Sequence, residues 1–178
     1  MFLRRGGTIL VTGGARAGKS DFALGLAKRA VVRRRLFVAT GVSCDPEMRD
    51  RITRHRKSRD GHWVTLEEPI RLPERLPKRF LAPGHLILFD CLPTFITNLL
   101  LDQKSPRQIH SRVQALLKIC RRPGLFSILV TNEVGLGIVP DHPLGREFRD
   151  LLGKVNQQVA RAADQVYLLV SGIPLRLK

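Results

Sequence analysis

Aromatic residues and cysteines are scarce in this chain of 178 residues, and each scarcity excludes a class of protein. Only 6% of the residues are aromatic, with one Trp and one Tyr, so few rings are present for stacking nucleic-acid bases. The three cysteines, Cys44, Cys91 and Cys120, are odd in number, lie far apart and form no CxxC pair. We therefore expect free thiols rather than a disulfide framework or a cysteine metal site.

Long apolar runs are also missing. No uninterrupted run approaches the roughly 18 residues that a membrane-spanning helix needs. The amino-terminal MFLRRGG has no separate apolar segment of the kind that signal peptides carry. The sequence therefore predicts a cytoplasmic protein without a membrane segment. Its length fits a single domain, residues 1–178, because single domains commonly contain about 100 to 200 residues.

Acidic residues are about half as numerous as basic ones. The 15 Asp and Glu against 31 Lys and Arg give a formal net charge of +16. A strongly basic surface attracts nucleic acid and other polyanions. The charge is spread along the chain, however, and no RNA- or DNA-binding motif is present. We therefore interpret clusters such as Arg33, Arg34 and Arg35 as solvent-exposed faces and expect no nucleic-acid partner.

Apolar strands and helices alternate along the sequence. The predicted strands are TILVT, LFVAT, WVTLE, LILFD, FSILV, VYLLV and PLRLK. Helices are predicted at 19–30, at 46–59, from about residue 94 to 121 with a break near Pro106, and from Pro143 onward. A Pro-rich stretch covers 69–83, and a Gly-rich loop covers 132–142. This alternation predicts an α/β fold with a mostly parallel sheet covered by helices on both faces.

The octapeptide GGARAGKS lies between the first predicted strand and the first predicted helix. Gly13, Gly18, Lys19 and Ser20 match G-x-x-x-x-G-K-[ST], in which backbone amides and a helix N-terminus surround a phosphate. We expect Lys19 to reach the β- and γ-phosphates and the Ser20 hydroxyl to ligate Mg²⁺. Asp90, which ends LILFD, is the expected second acidic partner of the metal. A plain Gly-rich turn, with Asp90 capping the next element, is the alternative.

His55 lies in the second predicted helix, on the same face as Met48 and Ile52. That spacing is typical of a packed or hydrogen-bonded histidine. Arg51 and Arg59, four residues to either side, favour the neutral, nucleophilic imidazole and attract a polyphosphate. The local sequence therefore leaves two interpretations open, a structural histidine or a nucleophile that attacks phosphorus.

Six segments resemble, in order and spacing, the bifunctional adenosylcobinamide kinase and adenosylcobinamide-phosphate guanylyltransferase family of cobalamin biosynthesis. They are ILVTGGARAGKS, the helix with R-I-x-x-H, HWVTLEEP, FDCLPTFITNLL, VTNEVGLGIVP and FRDLLGKVNQQVARAADQVYLLVSGIPLRLK. The resemblance implies a phosphate-loop NTPase fold with a RecA-type core, a homotrimer and two reactions. One phosphorylates adenosylcobinamide with ATP or GTP. The other transfers GMP from GTP to adenosylcobinamide phosphate, giving adenosylcobinamide-GDP and pyrophosphate.

The resemblance also implies roles for residues. His55 would carry the covalent GMP intermediate, Lys19 would be catalytic, and Ser20 and Asp90 would hold Mg²⁺. The implied nucleotide contacts are Gly13, Gly14, Ala15, Arg16, Ala17, Gly18, Lys19, Ser20, Gly41, Val42, Ser43, Arg56, Lys57, Ser58, Arg59, Glu67 and Asp90. Asn132 and Glu133 either line the corrinoid side of the cleft or shape the Gly-rich loop. His62 matches no nucleophile and is expected to be structural.

Two departures from the family pattern are visible, and two other functions stay open. Ala17 stands where the family usually has Ser, at a position whose backbone matters more than its side chain. Pro93 replaces the usual Thr after DCL, which bears on substrate affinity. A small-metabolite kinase would have no use for His55, and a nucleic-acid-dependent phosphate-loop ATPase would exploit the basic charge.

Overall fold

A computed structural model describes residues 6–41 and 62–178 of the chain. Seven strands in this part form one sheet: β1 (Gly7–Gly13), β2 (Arg34–Ala39), β3 (Trp63–Glu67), β4 (His85–Asp90), β5 (Phe126–Val130), β6 (Gln165–Val170) and β7 (Ile173–Arg176). The strand order is β3-β2-β4-β5-β1-β6-β7, and β6–β7 is the antiparallel pair among otherwise parallel neighbours. The prediction of a mostly parallel sheet is confirmed.

Four α-helices lie in the described ranges: α1 (Lys19–Arg29), α2 (Leu92–Leu101), α3 (Pro106–Cys120) and α4 (Pro143–Ala162). The helical stretch expected from about residue 94 begins slightly earlier, because Pro93 fits the first turn, where no intrahelical donor is lost. Ser105 then starts α3 with a capping box in which Ser105 and Gln108 exchange side-chain hydrogen bonds. The helix predicted at 46–59 lies outside the described residues.

Helices cover both faces of the sheet, as predicted. On one face, Ala23, Leu24, Leu26 and Ala27 of α1 pack against buried strand residues such as Val11. On the other face, α2, α3 and α4 share a core with Leu36, Phe89 and Leu129 of the strands. The interior strand β4 is apolar from Leu86 to Phe89, as expected for a strand that is buried on both faces. None of the helices in the described ranges combines the length and apolar character that crossing a bilayer requires.

The strand order also explains how the phosphate-loop segment is placed. β1 runs directly into GGARAGKS, and β5 separates it from β4, which ends at Asp90. One strand between the phosphate-loop strand and an acidic strand is the arrangement of a RecA-type core. The fold is therefore the phosphate-loop NTPase type that the sequence predicted. Because β1 to β5 are parallel, their carboxyl ends lie along one side of the sheet, here named the carboxyl edge.

Candidate active site

The predicted site residues that the structure describes collect at the carboxyl edge. Glu67 is in register with Ala39, and Ala39 is in register with Asp90. Asp90 is in turn aligned with Val130, and Val130 with Val11 of the phosphate-loop strand. Neighbouring strands are about 4.8 Å apart, so the backbone of Asp90 lies about 10 Å from β1. Asp90 is thereby placed on the same edge of the sheet as the phosphate loop, with β5 between the two strands.

Two glycines give the phosphate loop its shape. Gly13 has φ +150°, and a Cβ built there would lie 2.5 Å from the carbonyl oxygen of Leu169. Gly18 has φ +85° and forms the N-cap of α1. Both positions favour glycine because their φ angles are positive. At Gly13, β6 also approaches too closely to leave room for a side chain. The glycines of the sequence motif are thus explained by local geometry.

Lys19 and the first turn of α1 line the inside of the loop. Lys19 is only 8% exposed, and its Nζ donates a hydrogen bond to the carbonyl oxygen of Gly14. The bond from the Phe22 amide to the Gly18 carbonyl is 3.0 Å and begins the helix. The amides before it point toward the loop, where a helix N-terminus favours an anion. An ammonium group and a helix N-terminus therefore converge on the same small volume.

The turn between β6 and β7 braces the phosphate loop from the other side. The amide of Gly172 donates a 3.2 Å hydrogen bond to the carbonyl oxygen of Ala17. The Leu169 side chain lies beneath Gly18, within 3.9 Å of a Cβ built there. The sequence alone did not predict this contact. The only signal was the Ser-Gly pair between two apolar strands, which predicts a hairpin turn but not its neighbour.

A buried polar network joins β1, β5 and α4 behind the loop. The Thr12 hydroxyl donates to Glu133 Oε1 at 2.7 Å, and the Asn156 amide donates to the same oxygen at 3.3 Å. Asn156 also accepts from the Thr131 hydroxyl at 2.7 Å and donates to the Asn132 carbonyl at 2.8 Å. The Glu133 backbone amide donates to the Gly13 carbonyl at 3.1 Å. Of the two roles expected for Glu133, these bonds favour the one in which it shapes the Gly-rich loop. They also connect the start of that loop to the phosphate-loop strand.

A second network fixes the chain where β2 and β4 end. The Thr40 hydroxyl donates to the Cys91 carbonyl at 2.7 Å and accepts from the Cys91 amide at 3.1 Å. The Asn98 side chain of α2 donates to the carbonyls of Thr40 and Pro69 at 2.8 and 3.2 Å. Thr40 precedes Gly41, an expected nucleotide contact. The start of that predicted contact segment is therefore anchored to the strand that carries Asp90.

Comparison with protein families decides what kind of enzyme this edge belongs to. Residues 9–177 match the family model described as cobinamide kinase / cobinamide phosphate guanyltransferase. The chain belongs to this family. The match begins in β1 and ends beyond β7, so it includes the phosphate loop, Asp90 and both polar networks.

Curated relatives of the cobinamide kinase / guanyltransferase family align over nearly the whole chain. The chain is 42% identical over 182 residues to the bifunctional adenosylcobalamin biosynthesis protein CobU of Escherichia coli K12, covering 96% of this chain and 99% of the relative. It is 43% identical to the CobU protein of Salmonella typhimurium LT2, with the same coverage. The CobP protein of Pseudomonas aeruginosa PAO1 is 41% identical over 170 residues, covering 95% of this chain and 96% of the relative.

A solved structure supports the fold alone. A protein of Pyrococcus horikoshii OT3 superposes with a TM-score of 0.55 at 8% sequence identity, covering 99% of this chain and 88% of that chain. Identity this low carries no information about chemistry. The assignment to the cobinamide kinase / guanyltransferase family therefore rests on sequence, and the fold agrees with it.

The LEEP segment of this family member contains two adjacent carboxylates with different surroundings. Glu67, the expected nucleotide contact, ends the edge strand β3 and is exposed. Glu68 is 9% exposed and accepts hydrogen bonds from the amides of Ile70 and Arg71 at 3.1 and 2.8 Å. Arg75 lies 3.7 Å from its second oxygen. Glu68 therefore holds the following turn, while Glu67 faces the solvent at the carboxyl edge.

Several residues implied by the family resemblance lie outside the described residues: Val42, Ser43, His55, Arg56, Lys57, Ser58 and Arg59. The structure thus places the phosphate loop, Gly41, Glu67 and Asp90 along one edge of the sheet, with Glu67 four strands from the phosphate-loop strand, and leaves the histidine helix as a prediction. Within residues 6–41 and 62–178, no group of three His, Cys, Asp or Glu side chains is placed to hold a metal ion. Ser20 and Asp90 remain the predicted metal pair.

Proposed function

We propose that this chain phosphorylates adenosylcobinamide with ATP or GTP and then transfers GMP from GTP to the product through a covalent guanylyl-histidine at His55. One observation carries the proposal: a phosphate loop with a buried lysine stands beside Asp90 in a chain whose family match spans residues 9–177. The family does both reactions, and the alignments with its curated members have no large gap in coverage.

The kinase reaction uses the phosphate loop. Backbone amides of residues 13–20 bind the phosphates, and the Lys19 ammonium compensates the charge that develops on the transferred group. The substrate hydroxyl oxygen forms a bond to the γ-phosphorus, and the bond from that phosphorus to the β–γ bridging oxygen breaks. The nucleoside diphosphate leaves, and the hydroxyl proton passes to water. A hydroxyl on Ser20 and a carboxylate on Asp90 are oxygen donors of the type that Mg²⁺ prefers. Bound there, Mg²⁺ would neutralise phosphate charge.

The transferase reaction is split into two displacements at His55. An imidazole nitrogen bonds to the α-phosphorus of GTP, and pyrophosphate leaves. A phosphate oxygen of adenosylcobinamide phosphate then bonds to that phosphorus, the P–N bond breaks, and His55 is regenerated. Arg51, Arg56 and Arg59 are close in sequence and supply positive charge for the departing pyrophosphate. The support for this step is the R-I-x-x-H motif within a full-length family match.

Labelling with GTP tests the covalent step. Wild-type protein incubated with α-labelled GTP should retain the label after denaturing electrophoresis, and γ-labelled GTP should leave none. The adduct should be stable in alkali and labile in acid, because a protonated nitrogen leaves readily from phosphorus. His55→Ala and His55→Asn should lose the label and the transferase activity yet keep the kinase activity. Equal labelling of His55→Ala and wild type would show that another residue carries the GMP.

The same preparations separate the two alternative functions. A small-metabolite kinase would phosphorylate its substrate without any labelled protein, and a nucleic-acid-dependent ATPase would be stimulated by polynucleotide and ignore cobinamide. Excess chelator should abolish both steps if Ser20 and Asp90 bind Mg²⁺ as proposed. Activity that is undiminished by chelator contradicts that part of the proposal.

We also propose that the protein works as a cytoplasmic homotrimer. Leu136 and Ile138 in the Gly-rich loop are 81% and 94% exposed, and Ile173 of β7 is 71% exposed. Large apolar surface patches commonly mark interfaces that an assembly buries, and these three side chains are the candidates for such a patch. Light scattering should give three times the chain mass of 20.0 kDa. A mass of one chain at working concentration would contradict the trimer.

A further inference from the structure

Six cations lie at the side of the sheet opposite the carboxyl edge. They are Lys28, Arg29, Arg33, Arg34, Arg121 and Arg122, and all six are exposed. Lys28 and Arg29 end α1, Arg121 and Arg122 follow α3, and Arg33 and Arg34 lead into β2. Helices of an α/β fold run antiparallel to the strands, so these helix ends and strand starts meet at one side. We name this set of six residues the basic edge.

Backbone hydrogen bonds hold the loops of the basic edge together. The Arg33 amide donates to the Gly84 carbonyl at 2.7 Å, and the Gly84 amide donates to the Gly124 carbonyl at 2.8 Å. The Leu125 amide donates to the Arg122 carbonyl at 3.1 Å. The loop before β2 and the loop after α3 are therefore joined through Gly84. The starts of β2 and β5 are two strand-to-strand steps apart, so the cations of these two loops lie close together at the same side of the sheet.

The charge of the basic edge is not compensated by the described carboxylates. None of the six cations forms an ion pair with a residue in the described ranges. Arg35, by contrast, turns inward and donates to the Ala27 and Ala30 carbonyls at 3.2 and 3.3 Å. Asp164 lies at the same side of the sheet and accepts a hydrogen bond from the Thr8 amide at 2.8 Å, and a single carboxylate leaves the six positive charges in excess. Glu67 and Asp90 lie at the carboxyl edge.

An aliphatic side chain sits among these cations. Val31, between Arg29 and Arg33, is 97% exposed. Pro83 and Pro123, in the two neighbouring loops, are exposed as well. Aliphatic tips flanked by cations suit the headgroup region of a bilayer, where the apolar group inserts and the cations meet lipid phosphates. Single-stranded nucleic acid is a poorer fit to this surface than a membrane is. Its bases stack on aromatic side chains, and the apolar side chains named here are aliphatic.

We propose that the basic edge binds the surface of an anionic membrane, with Val31 in the headgroup layer and the six cations against lipid phosphates. This binding goes beyond the kinase and transferase reactions. The carboxyl edge, at the opposite side of the sheet, then faces away from the membrane. Substrates can then reach the carboxyl edge while the protein is bound to the membrane. Because the two edges share no residue, mutations can remove membrane binding without removing catalysis.

Sedimentation with vesicles tests the proposal on the full-length protein. Vesicles that contain phosphatidylglycerol in phosphatidylcholine should carry the wild-type protein down, and pure phosphatidylcholine vesicles should not. Binding should weaken as salt is raised, because exposed charges are screened. Arg33→Glu/Arg34→Glu should bind at least about 25-fold more weakly, since each cation near an anionic surface contributes roughly fivefold. Val31→Asp should also weaken binding, and Val31→Leu should retain it.

A charge-matched variant makes the experiment specific. Arg107→Glu/Lys154→Glu changes the net charge equally at two exposed positions outside the basic edge and should bind like wild type. Kinase activity should be unchanged in both double variants, which separates this test from the proposed catalytic function. The proposal is overturned if wild type ignores the anionic vesicles, or if both double variants lose binding equally. Duplex DNA bound through the same residues without vesicle binding would overturn it in favour of a nucleic-acid surface.

Discussion

The carboxylate of Glu133 and the hydroxyl of Thr12 form a 2.7 Å hydrogen bond across two neighbouring strands. Thr12 is the residue before the phosphate loop, and it is 4% exposed. Glu133 also receives a bond from Asn156 of α4. The start of the phosphate loop is thus fixed by the Glu133 side chain, which lies in the segment after β5. The position of the loop depends on this polar network as well as on its own glycines.

Asn156→Ala should destabilise the protein by about 1 to 3 kcal/mol, because it leaves the buried Thr131 hydroxyl and Asn132 carbonyl without their partner. Urea denaturation monitored by circular dichroism measures the free energy of unfolding. Gln157→Ala, at an exposed position of the same helix, is the matched control and should change it by less than about 0.5 kcal/mol. Equal effects of the two substitutions would contradict a structural role for the network.

Gly13→Ala should destabilise the fold by more than about 2 kcal/mol, because its Cβ would press on the Leu169 carbonyl and its φ is positive. Gly14→Ala is the control within the same loop, since a Cβ there meets nothing within 4 Å. Thermal unfolding of the free proteins compares them without nucleotide. A melting temperature for Gly13→Ala at or above that of Gly14→Ala would count against the loop geometry.

Lys19→Ala should lose both nucleotide-dependent activities by at least a hundredfold, because the ammonium compensates charge on the transferring phosphates. Its fold should survive, which circular dichroism checks. Lys28→Ala, at the other end of α1 and exposed, should keep wild-type kinase activity. Phosphorylation of adenosylcobinamide at the wild-type rate by Lys19→Ala would remove the phosphate loop from the mechanism.

Cys120 should make stability depend on alkaline pH. Burial raises the pKa of its thiol from 9.0 to about 12, partly offset by a hydrogen bond with Ser127. The folded state therefore favours the neutral thiol, and this contribution is complete below pH 9 and declines as pH rises toward 12. Between pH 8 and 10, wild type should lose about 1 kcal/mol more unfolding free energy than Cys120→Ala. Equal losses of unfolding free energy in the two proteins would show that the pKa of the buried thiol is not raised.

The sequence predicted those features that depend on nearby residues. The bounds of β3 and β5 agree with WVTLE and FSILV, and the phosphate loop follows β1 as its motif requires. Local apolar runs and glycine positions suffice for such predictions. The helix capped by Ser105 begins at Pro106, where the sequence predicted the break between two helical segments. Its start depends on a reciprocal side-chain bond that hydrophobic periodicity does not detect.

Contacts between distant residues were not predictable in the same way. Thr12 and Glu133 are 121 residues apart in sequence, and their pairing depends on β1 and β5 becoming neighbours. Asn156 offered a signal, since it lies among Leu152, Val155 and Val159 on the buried side of α4. A polar residue at a core position requires a buried partner, but periodicity does not identify that partner. The contact between Gly172 and Ala17 was unpredictable for the same reason, because it depends on β1 and β6 becoming neighbours.

The spacing of the carboxyl edge also sets the length of a ligand that can contact both of its ends. Four strand-to-strand steps separate β3 from β1 in the sheet order, a distance of about 19 Å. The phosphate loop lies at one end of that interval and Glu67 at the other. A single ligand must therefore extend over a comparable distance to contact Glu67 and the phosphate loop at the same time.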